Sequence, residues 1–547
     1  MKVALIYTPA RPSVQNYFPP LGLMYLASFL EKGGHEVVII DNAKTRSIDW
    51  AVAECEKFKP DLIGVGGIIT AYRHVLPLAN KLKGRFPQTT VVIGGQVVTD
   101  NDHNLFRHCR VDYTIHGYGE IPLLMLCDAI QSGDRDAIER IPGLTFRQGE
   151  NKLVHNKQRV FVEHMDDLPL PAYHLIDMEY YSSVSATHSK VKNFLRLNNR
   201  EGELKDFDAF KAFVVMVSRG CSDKCTFCVH EQEFVGLKRN SIDYIRNHLK
   251  FLHDNYGIRF FSLGEEMVIT NTKTTRHLVD LMNTEFADCY WQTATRANFI
   301  TKENVDILKG SNCISMGFGY ESGSQKILDL YWKRTTREDN INAYRLLHQS
   351  GINPGGSLMV GMVGEDFDSI ADTCESLREA KDSSPGVFFC TPYPGSRLWD
   401  WAIEKGLITD PHKFLLKCAD FEPIQNMAIN MTNYRDWVVR LFHFRINGEV
   451  ALEMIRQKIF SIRSLKTRYG LIRLIGITSI PVFGFLKRFE RQLAFLLYKP
   501  RAQRHTWTVD KEGALAVGDI KAGTTGIRVD ISRLKNIERG EQRTLSL

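Results

Sequence analysis

The sequence lacks a long charge-free apolar run, and no membrane-crossing segment is expected from it. Its longest charge-free candidate, residues 474–486, holds Pro481 and Gly484, and a spanning helix needs roughly twenty apolar residues. The opening MKVALIYTPARPSVQ carries one lysine and an apolar run too short for a secretory h-region. Paired cysteine spacings are also missing. Cys55, Cys109, Cys127, Cys289, Cys313, Cys374, Cys390 and Cys418 are thinly scattered, and the total of eleven is odd. That excludes a disulfide framework and fits a reducing cytosol. No G-x-G-x-x-G follows the first strand-like run, so a dinucleotide site has little support.

Net basic charge is lacking over most of the chain, which is close to neutral, and is concentrated in one place. Residues 446–504 hold twelve Lys or Arg against Glu449, Glu453 and Glu490, more excess than the whole chain's net +7. The basicity is therefore local, and a nucleic-acid partner is not expected. With 547 residues, 44% hydrophobic and 24% charged, the chain has the length for about three domains of ordinary globular composition.

What is present is organised around residues 217–230, VSRGCSDKCTFCVH. Cys221, Cys225 and Cys228 stand at C-x3-C-x2-C spacing. Soft sulfur ligands this close favour zinc, copper(I) or an iron–sulfur cluster. A structural zinc site takes four ligands, and the local count stops at three. A [4Fe–4S] cluster on three cysteines would keep one iron open. A zinc knot completed from a distance, or three unrelated cysteines, are the alternatives.

Around this stretch the patterning is α/β. VALIY (3–7), VVII (37–40), LIGVG (62–66), VVIG (91–94) and VDYTI (111–115) read as strands separated by helical patterns. This predicts a flavodoxin-like (Rossmann-like) parallel sheet over 1–145. Ligands of such sheets sit beyond the strand C-termini. The residues there are Thr8-Pro9, Gly67-Ile68, Gly94-Gly95 and Gly117, Gly119 and Glu120, whose glycines are either a backbone-lined ligand site or ordinary tight turns. Residues 146–212 read as a hairpin and linker, with 178–212 expected over the mouth of the active site. Over 213–400, FVVMV, RFFSL, YWQTA, CISMGF, GGSLMVG and VFFCT predict a partial (β/α)6 barrel, whose chemistry belongs at strand C-termini. Residues 401–547 read as a mainly helical region. Its basic segment is either a cap packed on the barrel or an amphipathic element on a membrane surface, and the tail after 505 a strand pair or a loose end.

The cysteine motif, with Phe227 before its third cysteine, resembles the radical S-adenosylmethionine (SAM) superfamily. PPLGLMYLASFL, the paired glycines after the fourth strand and G-x-GE after the fifth resemble the cobalamin-binding domain that precedes many members. The resemblance implies a [4Fe–4S] cluster on Cys221, Cys225 and Cys228. It implies SAM held by Phe227, Gly264, Glu265, Arg296, Glu321, Ser322 and Gly361. Cobalamin would lie against Thr8, Pro9, Gly67, Ile68, Gly94, Gly95, Gly117, Gly119 and Glu120. Each has a plainer reading: Glu321-Ser322 as a helix cap, Arg296 as a surface pair, Gly361 as a turn. D-x-H-x-x-G is lacking, which implies no lower histidine on cobalt. The implied activity is SAM cleavage to a 5′-deoxyadenosyl radical and methylation of an unactivated carbon. A cyclase or ring-rearranging relative is the alternative. A tRNA methylthiotransferase is disfavoured, since Cys55, Cys109 and Cys127 avoid the strand-end loops, and a non-catalytic cobalamin or zinc sensor is the remaining class. The implied partners are a small-molecule substrate and a flavodoxin- or ferredoxin-type one-electron reductant, acting on a monomer.

Overall fold

The computed structural model describes the chain except residues 9–17, 150–151, 184–190, 192–193, 196–197, 199, 201, 203–210, 230–235, 265–266, 420–425, 458–467, 501–502, 510–514, 516–525 and 530–547. Two compact units divide it. One is built mainly from residues 1–181 and the other mainly from 182–230 and 249–520.

In the first unit, apolar runs rich in Val and Ile form β1 (Lys2–Tyr7), β2 (Glu36–Asp41), β3 (Leu62–Gly66), β4 (Thr90–Gly94) and β5 (Tyr113–Ile115). They pair in parallel in the order β2-β1-β3-β4-β5, the flavodoxin-like order with its switch point between β1 and β3. Helices such as Leu21–Lys32, stopped by Gly33-Gly34, and Glu120–Ser132 bury one face on the sheet. The expected hairpin forms as β6 (Leu144–Gln148) and β7 (Lys152–His155), but it does not stand apart as a linker. It adds to the sheet, β6 running antiparallel to β5. Further on, β8 (Arg159–Val162) pairs in parallel with Gly526–Val529 from the C-terminal tail.

The second unit holds β9 (Lys211–Met216), β10 (Ile258–Gly264), β11 (Tyr290–Thr295), β12 (Cys313–Glu321), β13 (Asn353–Val360) and β14 (Gly386–Phe389). All six are parallel and neighbour one another in chain order, the open series expected of a partial barrel. Capped helices alternate with them: Thr272–Glu285 behind Asn271, and Arg337–Gln349 and Phe367–Ala380 behind full capping boxes. One sheet face packs Phe213, Phe261, Leu263 and Trp291 in the core. The other, half-buried, carries Ser262, Gln292, Ala294, Gly317 and Gly319, small groups that leave room over the sheet.

One expectation needs correction. The described part of 191–200 is not over the strand C-termini. Phe194 and Leu195 bury against Phe260, Tyr290 and Ile314, Asn198 donates to Gly351 O (3.0 Å) and Arg200 to Asn312 (2.9 Å). Those partners lie at or before strand starts, so this stretch plugs the opposite end of the sheet. Its two buried apolar side chains account for the placement.

After β14 the unit continues in helices, of which Asp436–Arg456 and Arg468–Arg488 pack tightly together. A Cβ on Gly448 would collide with the backbone of Gly476, and one on Gly476 with that of Gly448. The Phe483 ring lies 5.1 Å from Phe367, which also packs on Phe442 at 4.9 Å.

Candidate functional site

The cysteine loop leaves β9, so it sits at the C-terminal end of the sheet. Cys221 and Cys225 are buried, Cys228 is half-buried, and none of the three is in a disulfide. Cys221 Sγ lies 3.2 Å from Met267 Sδ. Cys228 N donates to Cys225 O at 3.0 Å, a tight turn that closes the loop on itself.

Arg296 follows β11 and is buried, against the plainer reading of a surface pair. Its guanidinium reaches three groups at once: Asp223 of the cysteine loop (3.3 Å), Cys225 Sγ (3.5 Å) and the carbonyl of Lys333. A planar fork with several donors is suited to bridging groups in this way. Arg296 therefore ties the loop to the segment that follows β12.

Lys333 is the residue that sequence reasoning missed. It is buried, and its Nζ donates to Glu321 at 2.8 Å and stands 5.8 Å above the Phe227 ring. Burial opposes its charge, but Glu321 and the nearby Cys225 outweigh burial and raise its pKa. The pair is built on unusual backbone. Glu321, Trp332 and Arg334 all have positive φ (60°, 51° and 53°), and any side chain on Gly319 would run into Glu321 and Lys333. Nothing in YWKRTT announces this. Asp223, inside C-S-D-K-C, was within reach of the motif.

Next to it, Tyr331 is fully buried and accepts a hydrogen bond from Val363 N at 2.5 Å. Glu365 accepts from the amides of Gly361 (2.7 Å) and Met362 (3.2 Å). Burial pushes its carboxyl up to about 8, against those two bonds. Gly361 has φ 85°, so the turn after β13 requires glycine, and its amide is used by Glu365. Ser322 is turned toward the helix Phe367–Ala380, 3.3 Å from Thr373 Oγ1 and accepting from Ser324 N; it does not cap the helix that follows, whose N-cap is Ser324. Gly264 ends β10 with only Val214 near its Cβ position. Glu265 lies outside the described residues.

In the first unit, Thr8 Oγ1 donates to Gly66 O at 2.7 Å across the switch point. Gly95 (φ 83°) packs on the backbone of Gly67, where a Cβ would come within 2.8 Å of Gly67 O. Gly94 has room and Ile68 is half exposed. Gly117 has φ 79°, Gly119 packs beside Leu26, and Glu120 is buried at the start of its helix. Pro9 lies outside the described residues. Tyr181, donating to Asp41 at 2.7 Å, stands at the ends of β1 and β2. Beyond β5, His116 bonds Asp102 (2.6 Å) and lies edge-on to His155, 4.5 Å between rings.

Family models match both regions. Residues 8–126 match the B12 binding domain and residues 215–377 the radical SAM superfamily. The chain joins a B12-binding domain to a radical SAM domain. An uncharacterized methyltransferase of Pyrococcus horikoshii is 28% identical over 75% of this chain and 84% of its own. The anaerobic magnesium-protoporphyrin IX monomethyl ester cyclase of Rubrivivax gelatinosus is 23% identical over 78% and 75%. Among solved structures, the radical SAM methyltransferase TsrM of Kitasatospora setae, with cobalamin and a [4Fe–4S] cluster bound, has TM-score 0.61 at 16% identity. It covers 88% of this chain and 99% of its own. That likeness carries the fold, B12-binding sheet, radical SAM half-barrel and helical C-terminal region together.

The residues present fit the groups these domains take. The radical SAM domain offers three thiols with no disulfide, held by a buried arginine, a donor set that suits a cluster. Glu321, Lys333 and Phe227 beside it give a carboxylate, a cation and a ring for a zwitterionic nucleoside. At the switch point the B12-binding domain presents Gly67, Gly94, Gly95 and the half-exposed Ile68, backbone and apolar surface for a large ring.

Proposed function

We propose that this protein is a cobalamin-dependent radical SAM enzyme that methylates an unactivated carbon of a small molecule. The reading rests chiefly on one observation: the cysteine loop leaves the first strand of the parallel series and is locked there by Arg296, with Glu321 and Lys333 beside it. Bound at these residues, the cluster and SAM supply hydrogen-atom abstraction, and cobalamin supplies the methyl group.

The chain's own part is positioning and electrostatics. Cys221, Cys225 and Cys228 hold the cluster, and Arg296 offsets thiolate charge at Cys225 while fixing the loop through Asp223. Lys333 orients Glu321, whose carboxylate suits the amino or ribose groups of SAM. Glu365 draws the Gly361 and Met362 amides inward and shapes the turn after β13. Thr8, Gly67, Ile68, Gly94 and Gly95 form the cobalamin-facing edge, with Gly117, Gly119 and Glu120 at the next strand end.

A flavodoxin- or ferredoxin-type donor is the reductant this chemistry requires, and the cytosol supplies one. The Rubrivivax cyclase supports a second reading, ring formation or rearrangement without net methyl transfer. Anaerobic turnover with cobalamin, SAM, a reductant and candidate metabolites separates the two. Methylation yields 5′-deoxyadenosine together with S-adenosylhomocysteine and a product heavier by one methylene. Deoxyadenosine alone supports the second reading. One zinc and no iron in anaerobically purified protein sinks both.

A further inference from the structure

The helix Arg468–Arg488 is apolar on two faces. Gly476, Ser479, Phe483 and Leu486 are buried, and the buried face packs against Asp436–Arg456. The other face is exposed and carries Leu471, Leu474, Ile475, Val482 and Phe485, at the three- and four-residue steps that make one stripe of a helix. Phe489 continues this surface, its ring 5.0 Å from Phe485, and Phe495 and Leu496 shortly after it in the chain are exposed as well, Phe495 at 77%. Among the described residues these are most of the large exposed apolar side chains, and contiguous apolar surface of this kind marks an interaction site.

Charge identifies the occupant. Lys487, Arg488 and Arg491 cluster at one end of the stripe. Lys487 pairs with Asp368 at 2.8 Å, Arg488 lies over the Phe489 ring at 5.7 Å, and Arg488 and Arg491 are exposed. A stripe of Leu, Ile and Phe ending in aromatic and basic residues matches a surface where hydrocarbon meets anionic headgroups. The geometry points to this helix as a peripheral docking face for an anionic lipid bilayer, the stripe dipping into the acyl boundary. Gly470–Arg488 is long and apolar enough to cross a membrane, but spanning is opposed by its packing. Its partner helix buries Arg445, Glu449 and Glu453, with Arg445 bonded to Glu449 at 2.7 Å, and would have to enter the hydrocarbon with it.

Co-sedimentation of the full-length protein with vesicles tests this. Vesicles of phosphatidylcholine mixed with phosphatidylglycerol should retain it at least about tenfold more than phosphatidylcholine alone, since each basic residue at such a surface adds appreciably. About 0.5 M salt should reduce that preference. Val482→Glu with Phe485→Glu should abolish retention, whereas Arg488→Glu with Arg491→Glu should remove only the anionic preference. Circular dichroism of each variant should match the parent. Equal or absent retention on both vesicles overturns the proposal. So does sedimentation equilibrium showing a dimer that the stripe variant splits, which makes the face a contact with a second copy.

Discussion

At the scale of single residues, the buried pair of Lys333 and Glu321 lets stability be tested separately from the proposed binding of SAM. Removing one partner of a buried ion pair strands the other charge, at a cost of about 3–5 kcal/mol. Lys333→Met should therefore lower stability by about 3 kcal/mol in chemical denaturation, with iron content per chain unchanged. Adding Glu321→Gln should restore most of that stability. It should not restore SAM affinity, which anaerobic calorimetry should find weakened at least about tenfold, as when a charge-assisted contact is lost. Arg296→Lys makes a different prediction. An ammonium cannot bridge Asp223, Cys225 and the Lys333 carbonyl together, so iron per chain should fall after reconstitution. The cysteine motif was legible because its spacing is local. Arg296 and Glu321 were legible from their positions after strands. Lys333 was not, because what brings it to Glu321 is positive-φ backbone at Trp332 and Arg334, residues with no composition that announces it.

At the scale of elements, strands were readable because each is a short apolar run between helices, and all eleven parallel strands expected over 1–400 are present. The placement of 191–200 was not readable, since Phe194 and Leu195 give burial without saying which end of a sheet receives them. The hairpin's attachment to β5 was likewise set by tertiary pairing. The crossing of Asp436–Arg456 with Arg468–Arg488 yields a direct test. Two glycine backbones meet there, so Gly476→Val has no space and should cost about 2 kcal/mol or more. Gly484, with nothing near its Cβ position, should accept alanine with a slight gain in helix stability. Thermal melts of the two variants should move in opposite directions.

At the scale of the whole molecule, the two units should respond to pH in opposite senses. In the first, burial lowers His248 to about 3 and His155 to about 4. These pKa values are depressed, so their contribution is full above about 6.5 and is lost as pH falls toward 4 and 3. In the second, burial raises Glu365 to about 8 and Asp382 to about 7. Those are raised, so their contribution is full only below the ordinary carboxyl values, 3.8 for Asp382 and 4.5 for Glu365, and is lost as pH rises through 7 to 8. Calorimetric scans across pH 4–8 should show one transition weakening on acidification and the other on alkalinisation. His248→Gln should flatten the first dependence and Glu365→Gln the second. If neither variant changes either slope, other groups dominate.

The positive φ of Glu321 has an evolutionary consequence. A left-handed conformation disfavours a glutamate by about 1–2 kcal/mol, while glycine or asparagine would be comfortable there. Gly or Asn at position 321 would relieve that strain but leave Lys333 buried without its carboxylate, a larger cost of about 3–5 kcal/mol, so a search for thermostable variants should return either only together with a neutral residue at position 333. Positions 321 and 333 should therefore tolerate change as a pair and resist it singly.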